Sequence, residues 1–333
     1  MKRIDWIDAL KGFGIFCVTL GHLACNYLLE THIYSFHMFL FFFLSGFLHN
    51  NAQGSFRVYL AKKSTALLIP FLLWNLMSCR IGLFFNYTVS ETIRFFFLLD
   101  GIICWNAPIW FLLQLFMVGI SFFIIDEYMP YGKYLSIPVL FVLWYFISGY
   151  NVFLKLNILP VCLLFYIFGN IVKQFYDNCS KAGNKTHIYI PAALLFLSTN
   201  IVFGLCLNKR VSFTGADFGN VFYCCLAAIA GILFYILIFK NTHYLRANKV
   251  LSYLGQNSLI IMATQYWFFT FYDILSNRLF GISIWHYRNT AKALVISITT
   301  ILLICTVVEI LKKIGIKNHT VKKICILFGI HMT

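Results

Sequence analysis

Residues 221–239 read VFYCCLAAIAGILFYILIF, an uncharged apolar run that is long enough to cross a bilayer as one helix. Similar runs recur along the chain of 333 residues, of which 61% are hydrophobic, 19% aromatic and only 11% charged. Soluble domains carry about 25% charged residues, so a soluble fold could not bury this much apolar surface. The sequence therefore predicts an all-α integral membrane protein.

The apolar runs predict about ten transmembrane helices in a single membrane-embedded domain, residues 1–333. The candidate spans are 7–29, 33–48, 65–85, 107–125, 134–149, 157–173, 187–207, 217–239, 250–273 and 291–311. The second, fifth and sixth runs are short for a span of about 20 residues, which favours kinked or re-entrant segments there. The stretch from Thr92 to Leu99 is too short to span and is expected in or near the outer interface.

The distribution of Lys and Arg predicts that the N- and C-termini are both cytoplasmic. With the N-terminus inside, 17 of the 26 basic residues fall in cytoplasmic segments and 7 in outer segments, which is the bias that the positive-inside rule describes. The formal charge of +15 then reflects this bias and an attraction to anionic membrane lipids. Because the basic residues are dispersed over many loops, no nucleic-acid partner is expected.

The first predicted helix carries the densest set of ionisable residues. Lys11 and His22 are 11 residues apart, which returns a helix to within about 20° of the same face and separates the two residues by about 16 Å. A charge at the bilayer centre costs roughly 2.5–3.5 kcal/mol on insertion scales. We expect a cationic entrance on the cytoplasmic side and a titratable imidazole deeper in the membrane. A snorkelling lysine and a histidine bonded between helices are the alternative.

Other polar residues extend this candidate site. His37 opens the second span and would enter from the outer face at about the level that His22 reaches from inside. Lys62 and Lys63 precede the third span, either as an interfacial anchor or as a phosphate site at a helix start. Arg80 falls in the outer third of that span, either snorkelling outward or facing a cavity.

The polar residues of the later spans are less informative. Trp110 opens the fourth span, where an aromatic ring also suits the interfacial belt of a membrane protein. Glu309 has basic partners three and four residues further on and is interpreted as structural. No C-x-x-C motif occurs, and no metal is expected.

Five segments, in the expected order, resemble the acyltransferase-3 family. They are Lys11-x10-His22, FHMFLFFFLSG from Phe36, Lys62-Lys63 before Leu67-Leu68-Ile69-Pro70, Ile109-Trp110-Phe111-Leu112, and Leu254-Gly255-x-Asn257-Ser258-Leu259. The resemblance covers nearly the whole chain, and within the family the chain is most similar to the fucose 4-O-acetylase-like branch, whose members acetylate cell-surface sugars.

This resemblance implies ten helices and transfer of an acyl group, usually acetyl, from cytoplasmic acyl-CoA to a hydroxyl of a glycan or of its lipid-linked precursor. The basic residue and histidine of the family's first helix correspond to Lys11 and His22, and its basic pair to Lys62 and Lys63. Three positions depart from the family pattern: Lys11 replaces the more frequent arginine, Ala66 replaces a second basic residue, and Gln265 replaces a histidine. The roles of the last two positions are thereby open.

Such a transfer needs an activated hydroxyl, a positioned thioester and stabilisation of the oxyanion. We expect Lys11, Lys62 and Lys63 to bind the phosphates of acetyl-CoA, the co-substrate, and His22 to act as general base or as a transient acyl carrier. The expected acceptor site consists of His37, Arg80, Asn106 and Trp110. We expect a multi-pass protein of the bacterial inner membrane. A transporter or flippase of a polysaccharide precursor is the alternative, and its signs would be broken helices in symmetric halves.

Overall fold

The structure is a computed structural model that describes residues 4–50, 54–84, 88–97, 105–150, 152–179, 189–242 and 245–330. Over these residues the chain is all-helical, as predicted, and its β structure is limited to one isolated bridge between Ser212 and Asp217. The helices are α1 Asp5–Gly21, α2 Tyr27–Phe47, α3 Phe56–Lys63, α4 Ile69–Phe84, α5 Val89–Phe96, α6 Trp110–Tyr128, α7 Gly132–Ile147, α8 Leu159–Cys179, α9 Tyr189–Ile201, α10 Val221–Asn241, α11 Arg246–Gln256, α12 Ser258–Phe280, α13 Thr290–Lys317 and α14 His319–Leu327.

Six helices of the described chain are long and apolar enough to cross a membrane. They are Tyr27–Phe47, Ala107–Tyr128, Phe153–Tyr176, Tyr189–Cys206, Val221–Asn241 and Thr290–Lys317. Other predicted spans correspond to shorter helices, such as α1 with 17 residues and α4 and α7 with 16 each. The multi-pass helical class is thus confirmed, whereas the number of ten spans stays a prediction.

The first span is shorter than its apolar run suggests. Residues 7–29 were expected to form one helix, but α1 ends at Gly21 and the chain turns before Asn26, whose side chain accepts a hydrogen bond from the Leu28 N–H at 2.9 Å and so caps α2. Hydropathy does not detect this turn, because the residues on both sides of it are apolar. His22 consequently lies in the turn just after α1.

The second span has no interruption, contrary to expectation. α2 runs unbroken for 21 residues, because Glu30 and Thr31, which lie before the predicted start of the run, are buried against other parts of the fold. The ninth span is broken instead, into α11 and α12. At the break, the side-chain amide of Asn257 donates to the carbonyl of Tyr253 at 2.9 Å, and the Asn257 backbone N–H donates to the same carbonyl at 3.3 Å, so Asn257 caps the end of α11.

Glycines allow α1 and α11 to cross with their backbones in contact. A Cβ atom on Gly12 of α1 would lie 1.7 Å from the Leu251 carbonyl oxygen of α11, and one on Gly255 of α11 would lie 1.9 Å from the Asp8 carbonyl oxygen of α1. Such small-residue contacts are typical of helix packing in membranes. They fix α1 at the centre of the fold, in contact with α2, α10, α11, α12 and α13.

Candidate functional site

A cavity of about 380 Å³ extends along α1 and is enclosed by α2, α6, α12 and the turn before α10. Its volume falls in the range of small-ligand sites, roughly 300–1,000 Å³. Six lining residues carry the argument that follows: Lys11, His22, His37, Trp110, Arg210 and Tyr266. Four of these six belong to the site that the sequence predicts.

The structure brings both ends of the predicted stripe together, since Lys11 and His22 line this one cavity. Eleven residues at 1.5 Å each separate them by about 16 Å along the helix axis. The cavity therefore has an ammonium group at one end and an imidazole at the other. A flexible thioester arm about 16 Å long would reach from one group to the other.

The imidazole of His22 has tyrosine hydroxyls on one side. The Tyr266 hydroxyl lies 3.1 Å from Nδ1 of His22, and the Tyr34 hydroxyl lies 3.5 Å from the same atom while donating to the Gly21 carbonyl at 3.4 Å. Because Tyr34 has an acceptor for its own proton, its oxygen is available to accept from Nδ1–H. A base at Nε2 requires the tautomer in which Nδ1–H donates to a tyrosine oxygen and Nε2 accepts a proton.

His37 is buried in the same cavity, with its ring 4.8 Å from that of Tyr34. Its Nδ1 lies 2.7 Å from the Ile33 carbonyl oxygen. A carbonyl oxygen only accepts, so Nδ1 donates, and the neutral His37 ring presents Nε2 as an acceptor. The two histidines are thus brought to one cavity, as the sequence predicts.

Arg210 is the main residue of the site that sequence reasoning missed. Its Nε lies 2.5 Å from Oε1 of the buried Glu30, and its guanidinium lies 4.0 Å from the centre of the Tyr34 ring. Glu30 also pairs with Arg288. The sequence offered only a Lys-Arg pair in an outer loop, and nothing in that pair indicates a partner in α2.

The turn that follows Arg210 closes the His22 end of the cavity. Ser212 and Asp217 exchange backbone hydrogen bonds of 2.7 and 2.9 Å, which folds the intervening residues against α6. Phe213 stacks on Trp110 with ring centres 5.8 Å apart and planes 15° apart. Trp110 therefore lines the cavity as predicted, but Phe213 covers part of its ring.

Four predicted residues lie outside the cavity lining: Lys62, Lys63, Arg80 and Asn106. Lys62 is exposed on α3, and Arg80 is exposed on α4. Asn106 is buried, but its amide donates to Ser78 Oγ at 3.1 Å and to the Ala263 carbonyl at 2.9 Å, so it ties the start of α6 to α4 and α12. The roles given to these residues in acyl-CoA or acceptor binding stay predictions.

Lys63 is half-buried near the Lys11 end, with Nζ 5.6 Å from the centre of the Tyr59 ring. It precedes the predicted third span. Burial first, and then the nearby charge of Lys11, lower the pKa of Lys63. The two ammonium groups therefore repel each other at this end of the molecule. An anion such as a phosphate, bound near both, would reduce that repulsion.

Two further polar residues have contrasting environments. Glu309 accepts hydrogen bonds from the Tyr253 hydroxyl at 2.7 Å and from Lys312 at 3.0 Å, which agrees with the structural interpretation of this residue. Gln265, next to Tyr266, is fully buried, and its side-chain amide makes no hydrogen bond to the described residues. Among those residues, no group of three His, Cys, Asp or Glu side chains comes together as a metal site.

The fold and the cavity define a multi-pass helical membrane protein with a binding site inside its helix bundle. A family model described as an acyltransferase domain matches residues 4–309, nearly the whole chain. The chain therefore belongs to the acyltransferase-3 family and is an acyltransferase. No curated protein and no solved structure matches it significantly.

Proposed function

We propose that the protein is a membrane O-acetyltransferase that moves an acetyl group from cytoplasmic acetyl-CoA to a hydroxyl of a cell-surface polysaccharide or lipid-linked sugar. The observation that supports this proposal best is that one cavity of an acyltransferase-family chain holds both Lys11 and His22, at opposite ends. One end suits an anionic donor and the other suits acid–base chemistry.

The proposal includes the membrane topology. Ten spans with both termini in the cytoplasm of a bacterial inner membrane would place the Lys11 end of the cavity inside and the Arg210 end outside. The 17-to-7 distribution of basic residues supports this orientation. The donor and the acceptor would then enter the same cavity from opposite sides.

Donor binding is assigned to the basic end of the cavity. Lys11, with Lys63 near it and Lys62 exposed beside them on α3, would hold the phosphates of acetyl-CoA. The pantetheine arm would follow the cavity along α1 and present its thioester carbonyl beside His22. His37 and Trp110 would contact the sugar, with the exposed part of the indole ring against a sugar face.

In the transfer step, Nε2 of His22 takes the proton of the sugar hydroxyl while the sugar oxygen attacks the thioester carbon. The carbon–sulfur bond of the tetrahedral intermediate then breaks. His22 returns the proton to the departing sulfur, so the products are the O-acetyl ester and CoA thiol. In the variant of this scheme with two steps, His22 first carries the acetyl group and the sugar displaces it.

The decisive experiment replaces His22 by alanine, with membrane insertion verified and acetylated glycan quantified by mass spectrometry. We expect acetylation to fall by at least about 100-fold, the lower end of what a general base contributes. His32→Ala is the matched control, since His32 bonds to Tyr235 outside the cavity lining. Retained acetylation in His22→Ala would remove this residue from the mechanism.

A transporter or flippase of a polysaccharide precursor is the second candidate. The break between α11 and α12 favours it, because interrupted helices are common in transporters. Membranes supplied with radiolabelled acetyl-CoA separate the two functions. Label transferred to glycan supports the enzyme, whereas sugar flux that does not depend on acetyl-CoA supports transport.

A further inference from the structure

The outer end of the cavity carries an excess positive charge. Glu30 has 8% of its side chain exposed and lies between two arginines, Arg210 and Arg288. Two guanidinium groups around one carboxylate leave a net charge of about +1. The Arg210 side chain is 32% exposed and the Arg288 side chain 52%, so water screens the charge of Arg210 less than that of Arg288.

Arg210 is the member of this group that faces the cavity. It is a lining residue, whereas Glu30 and Arg288 are not. Glu30 and the ring of Tyr34 hold its guanidinium in place from two directions. A guanidinium has five N–H donors, and these two partners cannot use all of them.

Arg210 lies near His22, at the end of the cavity where the acceptor is proposed to bind. Tyr34, which the guanidinium contacts, reaches Nδ1 of His22 with its hydroxyl. The other lining cation, Lys11, lies about 16 Å away along α1, at the donor end. Arg210 is therefore the cation that lies nearest to His22 among the described lining residues.

From this geometry we infer that the natural acceptor carries a negative charge, which Arg210 binds while a neighbouring hydroxyl meets His22. The inference rests on the proposed function and narrows its substrate to a sugar that bears a carboxylate or a phosphate. Both groups match a guanidinium in shape and accept paired, charge-assisted hydrogen bonds from it. A neutral sugar would leave the charge of Arg210 without a ligand partner.

The test compares acceptors that differ in charge and little else. Purified full-length protein in lipid nanodiscs is given acetyl-CoA with the methyl glycosides of glucuronic and galacturonic acid, with the neutral methyl esters of the same sugars, or with the corresponding sugar 1-phosphates. We expect kcat/KM for an anionic acceptor to exceed that for its neutral counterpart by at least about tenfold. The carboxylate and phosphate arms show which anion is preferred.

Variants test whether Arg210 is the cause. Arg210→Gln should reduce the preference for the acid over its ester to within about twofold, mainly by raising KM for the acid, while Arg210→Lys should keep part of it. Lys209→Gln is the matched control, because Lys209 is an exposed neighbouring cation that pairs with Asp217 and does not line the cavity. It should keep the full preference.

Three results would overturn the inference while leaving the proposed function intact. They are equal use of the acid and its ester by the unmodified protein, loss of the preference in Lys209→Gln as well, and an Arg210→Gln variant that lowers kcat equally for both acceptors. The first comparison needs no variant, so it holds even if Arg210→Gln fails to fold. Absence of transfer to any acceptor, including isolated cell-envelope glycan, would overturn the proposed function itself.

Discussion

At the scale of single residues, the environment of His22 defines its chemistry more sharply than its position at the end of α1 does. The Tyr266 hydroxyl at 3.1 Å from Nδ1 orients the ring, and the tautomer with a proton on Nδ1 leaves Nε2 as the base. Tyr266 is thus a positioning residue in the proposed mechanism. The sequence contains 19 tyrosines, and nothing in the chain around Tyr266 distinguishes it from the others.

We predict that Tyr266→Phe lowers kcat by about tenfold and leaves KM for acetyl-CoA unchanged, because the imidazole loses an orienting hydrogen bond but the donor site is intact. Steady-state kinetics with acetyl-CoA and an accepted glycan measure both constants. Tyr235→Phe is the control: the Tyr235 hydroxyl bonds to Nε2 of His32 at 2.9 Å, outside the cavity lining. A similar loss in both variants would show a general effect of removing a buried tyrosine hydroxyl.

At the scale of elements, the crossing of α1 and α11 holds the stripe of α1 in place. The two backbones touch at Gly12 and Gly255, and a side chain at either position would overlap with a backbone carbonyl of the other helix. A backbone cannot move aside as the end of a flexible side chain can. The crossing therefore tolerates only glycine, and the geometry of the cavity depends on it.

We predict that Gly255→Ala destabilises the protein by about 1–3 kcal/mol, as overpacking commonly does, even though alanine is the better helix former. The melting temperature of the detergent-solubilised protein measures this effect. Gly14→Ala on α1 is the matched control, because its added Cβ would meet only the end of the Phe41 ring, at 3.0 Å. Equal melting temperatures for Gly255→Ala and Gly14→Ala would contradict the tight crossing.

At the scale of the whole molecule, α1 is short but central, and longer apolar helices lie around it. α2 and α10 to α13 all contact it, and its Lys11 and the adjoining His22 line the cavity that α2 and α12 help to enclose. This arrangement explains how a helix with Lys11 and His22 can be accommodated in a membrane protein, since buried polar groups are tolerated where protein or a cavity surrounds them.

We predict that an epitope inserted after Gly281 is reached by antibody in intact cells with a permeable outer envelope, whereas one inserted after Asn318 is reached only after the inner membrane is broken. Both sites are exposed, and the distribution of basic residues predicts that they lie on opposite sides of the membrane. Acetylation by each tagged chain controls for correct folding. The reverse labelling pattern would contradict cytoplasmic termini and would exchange the donor and acceptor ends of the cavity.

The contact between Tyr266 and His22 shows why part of the site could not be predicted from the sequence. The pattern of α1 is local, and a period of 3.6 residues suffices to put Lys11 and His22 on one stripe. Tyr266 and His22 are instead 244 residues apart in the chain. Their meeting depends on how α12 packs against α1, which is a property of the fold and not of either segment.

The sequence by itself determined the class of protein, the apolar helices and the stripe of α1. A membrane-spanning helix must be apolar along its length, and the helical repeat relates residues that are close in the chain, so both features can be read from neighbouring residues. Only the tertiary structure decided where the first and ninth runs break, and that Arg210, held by Glu30, joins the histidines at the cavity. Those breaks and contacts depend on caps, glycine crossings and ion pairs between distant segments, and their energies exist only once the helices are packed.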